Sequence, residues 1–353
     1  MIISRTPFRI SFFGGGTDYP AWYRRHGGAV LAATIDTYCY LTCRYLPPFF
    51  EHRIRLVYRE IETCQTVSQI RHPAVREGLK FLGIDRGIER HHDGDLPARS
   101  GMGSSSAFTV GLLHALHALN GRMPSKKQLA AESIYLEQEV LGETVGSQDQ
   151  VMAAYGGLRH VRFETNGEIV AAPVVLSPER RAELQSHLML FYTGIARTAA
   201  EVAKTYVEGI DSRRRQLRLL QELVEESIDI LTSGKDIRVF GELLHEAWEA
   251  KRSLSDKVST SKVDALYERA RAAGAIGGKL TGAGGGGFLL LFAPPEQHPD
   301  IIEALKHLIH VPFAFESGGS QVIFYEPGID YQQVEKVRQG QRTIRRKAVA
   351  SAA

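Results

Sequence analysis

A chain of 353 residues and 39.1 kDa has room for two or three domains at the usual ~100–200 residues each. Its 43% hydrophobic and 24% charged residues exclude a disordered or collagen-like chain. Three cysteines without a CxxC exclude a disulfide framework or zinc knot, and no apolar run approaches the length of a membrane span. The formal charge of +3 is uneven, because the last nineteen residues hold six basic side chains and one acidic one. That end reads as a solvated tail, and the slightly acidic remainder offers no basic face to nucleic acid. The opening residues Ile2, Ile3 and Arg5 lack signal-peptide character, so the expected location is cytoplasmic.

In chain order, β-branched and aromatic residues predict strands over 8–13, 29–46 and 53–58, followed by a helix at 73–82. Polar His91-His92-Asp93 reads as a loop rather than a metal cluster. Beyond it, Phe108, Leu112, Leu116 and Leu119 recur at helical spacing, and Leu129, Ala130, Ile134 and Leu141 mark a helix over 126–141. Strands return at 157–163, 169–175 and 188–192. A long helical region covers 197–250 with a break at Ser233-Gly234, and 263–273 is a further helix. Residues 287–293 form a buried strand, 301–308 read as helix, and 322–325 as a last strand. The shift at Ser177-Pro178 from sheet-rich to helix-rich sequence predicts an α+β protein. Its first domain would span 1–176, its second 177–334, and a basic tail 335–353.

Glycine is the unusual residue. The 34 glycines gather at Gly14-Gly15-Gly16, at Gly101-Met102-Gly103 and in the run from Gly282 to Gly287. Such clusters cost backbone entropy and are kept where the backbone must approach something closely. Three of them, far apart in sequence, predict one site assembled from distant segments. The segment from Pro97 through Ser100, Gly101, Met102, Gly103, Ser104, Ser105 and Ser106 opens directly into a helix. Unpaired N–H groups at a helix start, glycines that admit an anion, and serine hydroxyls together predict a bound phosphate. A simple cap needs one serine and no glycines.

Common phosphate loops do not fit. Walker A fails, since Leu280 follows Gly278-Lys279, and Gly282, Gly284 and Gly287 precede a strand instead of following one and opening a helix. HRD, DFG, GxSxG and HExxH are all absent. The segment 97–107 resembles the second motif of the GHMP kinase superfamily, and Gly277 to Gly287 resembles its glycine-rich third motif. Arg5 to Asp18, with Arg9 and the triplet before Thr17-Asp18, resembles the first, sugar-binding motif. Galactokinases carry Gly-Glu-His-Thr-Asp where this chain has Gly14-Gly15-Gly16-Thr17-Asp18. That triplet, with Thr34-Ile35-Asp36, Gly146 to Gln150, Tyr192-Thr193-Gly194 and Trp248, is similar to the D-glycero-D-manno-heptose 7-phosphate kinase branch and its L-fucokinase relatives.

The resemblance implies a two-domain fold, ribosomal protein S5 domain 2-like at the N-terminus and ferredoxin-like at the C-terminus. It implies an ATP- and Mg2+-dependent sugar kinase, acting on O1 of heptose 7-phosphate or, in the fucokinase-like alternative, on a free sugar. A catalytically silent sugar or nucleotide sensor is the alternative from another class. Asp149 would be the catalytic aspartate and Arg9 its partner. Pro97, Ser100, Gly101, Gly103, Ser104, Ser105, Ser106, Thr281, Gly282, Ala283 and Gly284 would hold the nucleotide, and Ser105 with Glu137 the metal. Glu139, two residues on, turns to another side of the helix. Gly15, Gly16, Thr17 and Asp18 would hold the sugar, and Arg197, Lys251 and Arg252 a second phosphate. The expected partner is a small-molecule sugar phosphate, with no nucleic acid or membrane, on a monomer or homodimer.

Overall fold

The computed structural model describes residues 1–337 apart from 99, 196–198, 327, 330, 332, 333 and 335. Arg197 and most of the 335–353 tail therefore lie outside the described residues. The chain opens with β1 (Ile2–Phe13), α1 (Pro20–His26) and β2 (Gly28–Tyr45). These two long strands pair antiparallel from Ile2↔Cys43 to Phe13↔Leu31, with register shifts at Pro7/Arg9 and Ser11/Phe13. Next come β3 (Ile54–Val57), β4 (Ile61–Cys64), α2 (Pro73–Phe81) and β5 (Ile88–Gly94). Helices α3 (Ser104–Leu119), α4 (Lys126–Tyr135) and α5 (Gln148–Tyr155) follow, then β6 (Leu158–Phe163) and β7 (Ile169–Pro173).

Helix α3 is apolar on almost every side, which suits a helix surrounded by protein. It lies against β1 so closely that a Cβ on Gly111 would stand 2.8 Å from Thr6 Oγ1. Its N-terminus, where the glycine-serine loop ends, is thus fixed against the strand that carries Arg9.

The second half contains α6 (Pro178–Ser186), β8 (Leu188–Tyr192), α7 (Ala199–Val207), α8 (Arg214–Thr232), α9 (Arg238–Arg252) and α10 (Ser261–Ala272). It continues with β9 (Gly277–Leu280), β10 (Phe288–Phe292), α11 (His298–Ala304), β11 (Ile309–His310) and β12 (Gln321–Tyr325). Antiparallel strands in the order β11-β8-β10-β9 form the ferredoxin-like sheet. Helix α8 bridges the two halves, its Leu217 and Val224 packing over Gly16 and Gly14.

The larger sheet runs β12-β1-β2-β5-β3-β4, with β6 on β2 and β7 on β6. The expected boundary at 176/177 falls in the link between β7 and α6, but the second domain does not extend to 334. Strand β12 crosses back and pairs with β1, from Ile2↔Tyr325 to Arg5↔Gln321. Met1 N donates to Glu326 O at 2.5 Å and Glu326 N to Met1 O at 2.9 Å, so this strand closes on the very start of the chain.

His91-His92-Asp93 is strand, not loop: β5 is an interior strand between β2 and β3. Its polar residues hide it from a search for apolar alternation, yet His92 packs edge-on against Phe108. The helix expected over 126–141 ends as α4 at Tyr135 and continues as a wider π turn, Leu136–Val140. The helical stretch 197–250 breaks twice, at the 3-10 turn Ile210–Arg213 and again after Thr232.

Candidate active site

The two later glycine clusters form one structure. Gly101 and Gly103 take left-handed φ of 81° and 74°, and Gly103 caps α3. A Cβ on Gly101 would lie 2.5 Å from Thr281 O, one on Gly282 2.6 Å from Gly101 Cα, and one on Gly287 2.1 Å from Ser100 O. Side chains at these positions would force the loops apart. Thr281 is buried and bonded to Phe288 O through its amide at 2.9 Å and its hydroxyl at 3.3 Å. Its role is to fix the loop, as is that of Gly284, whose Cβ would meet Val258 O at 2.5 Å. Ser100 is 2% exposed and its hydroxyl has no partner among the described residues. Pro97 stands exposed at the entrance, and Ala283 is half-buried.

Arg9 and Asp149 meet in a two-pronged ion pair. Arg9 Nε and Nη2 donate to the two carboxylate oxygens, each at 2.7 Å, and Nη1 donates to Gly101 O at 2.7 Å. The Arg9 amide also donates to Met102 O at 3.1 Å. A planar guanidinium suits this fork geometry. Asp149 lies in the first turn of α5 and not in a loop. Its side chain keeps 25% exposure against 5% for Arg9, so one edge of the carboxylate faces the cleft. Gly103 gives the pair room, since its Cβ would be 3.3 Å from Arg9 Cγ and 3.5 Å from Asp149 Cγ.

The π turn after α4 swings Glu137 inward, fully buried, and leaves Glu139 exposed. Insertions of this kind are frequent at functional sites. Glu137 Oε2 accepts from Ser106 Oγ at 2.8 Å and from Gln150 Nε2. Oε1 has no partner among the described residues, and burial pushes the carboxyl up to about 7. The serine that the structure brings to Glu137 is Ser106, the third residue of α3. Ser105, expected beside Glu137, is exposed on the first turn, and Ser104 begins the helix. No group of three or more His, Cys, Asp or Glu side chains converges among the described residues. A cation here would take only part of its shell from protein. The orphan Oε1 and nearby hydroxyls are hard oxygen donors, which fit magnesium with its retained waters and substrate phosphates.

Asp18 is buried beside this pair. Its Oδ1 accepts from Gly16 N at 3.0 Å and its Oδ2 from Gln148 N at 3.4 Å. Burial first, and the Asp149 charge second, raise its carboxyl above the ordinary range. Gly146 leaves it space, for a Cβ there would lie 1.9 Å from Oδ2. Thr17 departs from expectation. It is turned inward, its hydroxyl held between Gly14 O at 2.8 Å, Ala29 O at 2.9 Å and Ala29 N at 3.1 Å. It staples the turn to β2 and has no hydroxyl to offer a sugar.

Lys251 enters the cleft and Arg252 does not. Lys251 Nζ donates to Gly282 O, and burial with nearby Arg9 brings its ammonium down to about 8. Arg252 instead pairs with Glu249 at 2.8 Å and Asp264 at 3.2 Å on the helix surface, which commits its charge. A second lysine, Lys279, was not legible as a site residue. It is 3% exposed, donates to Phe12 O at 2.7 Å, and is driven well below the usual lysine range by burial and by Lys251 and Arg9. A charged residue inside a glycine-rich strand was the available signal. Gln150, whose side chain donates to Glu137, is legible only as a neighbour of Asp149.

The GHMP kinases N terminal domain model matches residues 66–157, and the GHMP kinases C terminal model matches 219–309. The D-glycero-alpha-D-manno-heptose 7-phosphate kinase of Campylobacter jejuni is 26% identical over 333 residues, covering 86% of this chain and 93% of that one. The mevalonate kinase of Pyrococcus horikoshii is 30% identical over 254 residues, 69% of this chain and 70% of that one. A crystal structure of a D-glycero-D-manno-heptose 1-phosphate kinase from Bacteroides thetaiotaomicron superposes with a TM-score of 0.76 at 22% identity, over 92% of this chain and 100% of that one. The two matched stretches contain Asp149, Glu137, Lys251 and the two later glycine clusters, and the chain belongs to the GHMP kinases, ATP-dependent phosphotransferases with an alcohol group as acceptor.

Proposed function

We propose that the chain is a sugar kinase that phosphorylates O1 of D-glycero-D-manno-heptose 7-phosphate, giving the 1,7-bisphosphate for nucleotide-activated heptose. The observation that carries this reading is the Arg9–Asp149 pair, locked to the phosphate loop and open on one carboxylate edge. Asp149 would accept the proton as the sugar oxygen attacks the γ-phosphorus and the bond to ADP breaks. Arg9 holds that carboxylate in place and ties it to Gly101, so base and phosphates keep a fixed separation. The first-turn amides of α3, with Ser100 and Ser104 to Ser106, would cradle the phosphates. Glu137 and the first-turn serines would hold magnesium, which neutralises charge on the transferred group. Asp18 would accept sugar hydroxyls over Gly15 and Gly16. Lys251, with Arg197, is the remaining anchor for the 7-phosphate. The heptose acceptor is supported by the full-length similarity to the Campylobacter enzyme. Three free cysteines suit a reducing cytoplasm, where ATP is supplied.

One observation favours a kinase of a free sugar: the ion pairs of Arg252 remove one of the three cations expected to grip a second phosphate. An ADP-release assay with magnesium, offering heptose 7-phosphate, mannose and L-fucose, separates the two. Turnover confined to the phosphorylated heptose is the expected result. Turnover on a free sugar alone would replace it with the second reading, and nucleotide binding without turnover would favour a sensor.

A further inference from the structure

Gly14 and Gly16 are glycines by necessity. Gly14 has φ 80° and a Cβ there would stand 1.9 Å from Ala29 O, while Gly16 has φ 108°. Gly15, between them, has neither reason. Its φ is not left-handed, and a Cβ would meet only Ser11 Oγ at 3.7 Å and Gln148 Nε2 at 3.9 Å, ordinary contact distances. The fold alone would accept alanine. The glycine keeps a methyl-sized hollow clear.

The walls of that hollow carry polar atoms without partners. Ser11 is 4% exposed and Gln148 8%, and Ser11 Oγ and Gln148 Oε1 are both unbonded among the described residues. A buried polar atom left unsatisfied is costly, so both are poised for a ligand that completes them. Their positions follow from the reacting pair. Ser11 is two residues beyond Arg9 on β1, hence on the same face, at the register shift before Phe13. Gln148 precedes Asp149 in the first turn of α5, and its amide donates to Asp18.

We propose that Ser11, Gly15 and Gln148 form a hydroxyl-reading subsite, in which a second hydroxyl of the acceptor seats over Gly15 between Ser11 Oγ and the Gln148 carboxamide. This hydroxyl neighbours the one that loses its proton to Asp149. An alcohol both donates and accepts, as do a serine hydroxyl and a primary amide. The subsite therefore selects polyhydroxylated acceptors with adjacent hydroxyls and rejects those lacking the second one. The inference rests on the kinase reading above and is independent of which sugar is used.

The test measures acceptor and ATP KM for wild type, Gly15→Ala, Ser11→Ala and Gln148→Leu, on whichever of heptose 7-phosphate, mannose and L-fucose the wild type phosphorylates. Melting curves report folding. Each variant is expected to raise the acceptor KM by roughly 10-fold or more while ATP KM stays within about 2-fold. The effect of Gln148→Leu should shrink on the one monodeoxy analogue that lacks the seated hydroxyl. Folded Gly15→Ala with an unchanged acceptor KM would overturn the subsite and leave the kinase assignment standing. Should Gly15→Ala fail to fold, the Ser11 and Gln148 variants decide by the same measure. Acceptor-specific losses on a sugar other than the heptose phosphate would support the subsite while refuting that substrate. A wild type that binds none of the three sugars by calorimetry would overturn both.

Discussion

In the proposed mechanism Asp149 is the side chain on which turnover depends most directly. Asp149→Asn keeps the size of the side chain and one acceptor oxygen for Arg9 but removes the base. It is expected to lower kcat by about 10²–10⁴ with ATP affinity retained, read by ADP release and nucleotide titration. Lys251 makes a prediction of a different kind. Its folded ammonium titrates near 8 because it is buried beside Arg9, with Asp18 and Asp149 pulling the other way. In the unfolded chain the same group holds its proton to about 10.4. Between those values the unfolded state binds more protons, so this lysine's contribution to stability rises with pH. Denaturant titrations at pH 8 and pH 10 should show wild type gaining on Lys251→Met by at most about 3 kcal/mol. A difference independent of pH would mean that Lys251 is solvated.

Elements, rather than single side chains, hold the two glycine loops together. Gly287→Ala would place a methyl 2.1 Å from Ser100 O and strain a φ of 93°, displacing the phosphate loop. ATP KM should rise at least about 10-fold, the scale on which small misplacements of a positioned group are felt. Gly121→Ala is the control: its φ of 68° is left-handed too, but nothing lies within 4 Å of the added Cβ. It should cost only about 1–2 kcal/mol of backbone strain and leave both KM values unchanged. At this scale the sequence was most readable where composition marked the chemistry. The glycine clusters and the serine-led start of α3 stood out by residue type and spacing, whereas Asp149 and Glu137 were marked only by the family resemblance. Polar β5 did not stand out, because after Ile88 its buried residues are Glu89 and Arg90 instead of aliphatic ones. The π turn was equally hidden, since one extra residue per turn leaves no periodic mark over five residues. Thr17 looked like a ligand by position, and only the Ala29 backbone beside it shows where its hydroxyl goes.

For the whole molecule, the last strand matters more than its length suggests. Besides pairing with β1, the returning segment bonds Thr34 and Asp36 through Glu316 and Ala314, and its Ser320 meets Thr6 and His114 at 2.8 and 2.9 Å. A chain ended after Glu326 should melt within about 2 °C of the full protein, whereas one ended after His310 should melt more than about 5 °C lower or aggregate. Scanning calorimetry on both settles the point. The shift in composition at Ser177-Pro178, in the link between β7 and α6, was legible in the sequence. The return of β12 was not, because strand partners far apart in sequence leave no local signature.

The junction of Met1 with Glu326 also bears on how the protein is made. Synthesis delivers β1 long before its outer partner β12. While the rest of the chain emerges from the ribosome, one edge of β1 has its hydrogen-bonding groups unclaimed, a surface on which nascent chains can pair wrongly. The sheet that carries Arg9 is complete only once residues 321–325 have been made, so the Arg9–Asp149 pair would reach its final rigidity after the ferredoxin-like half has been built.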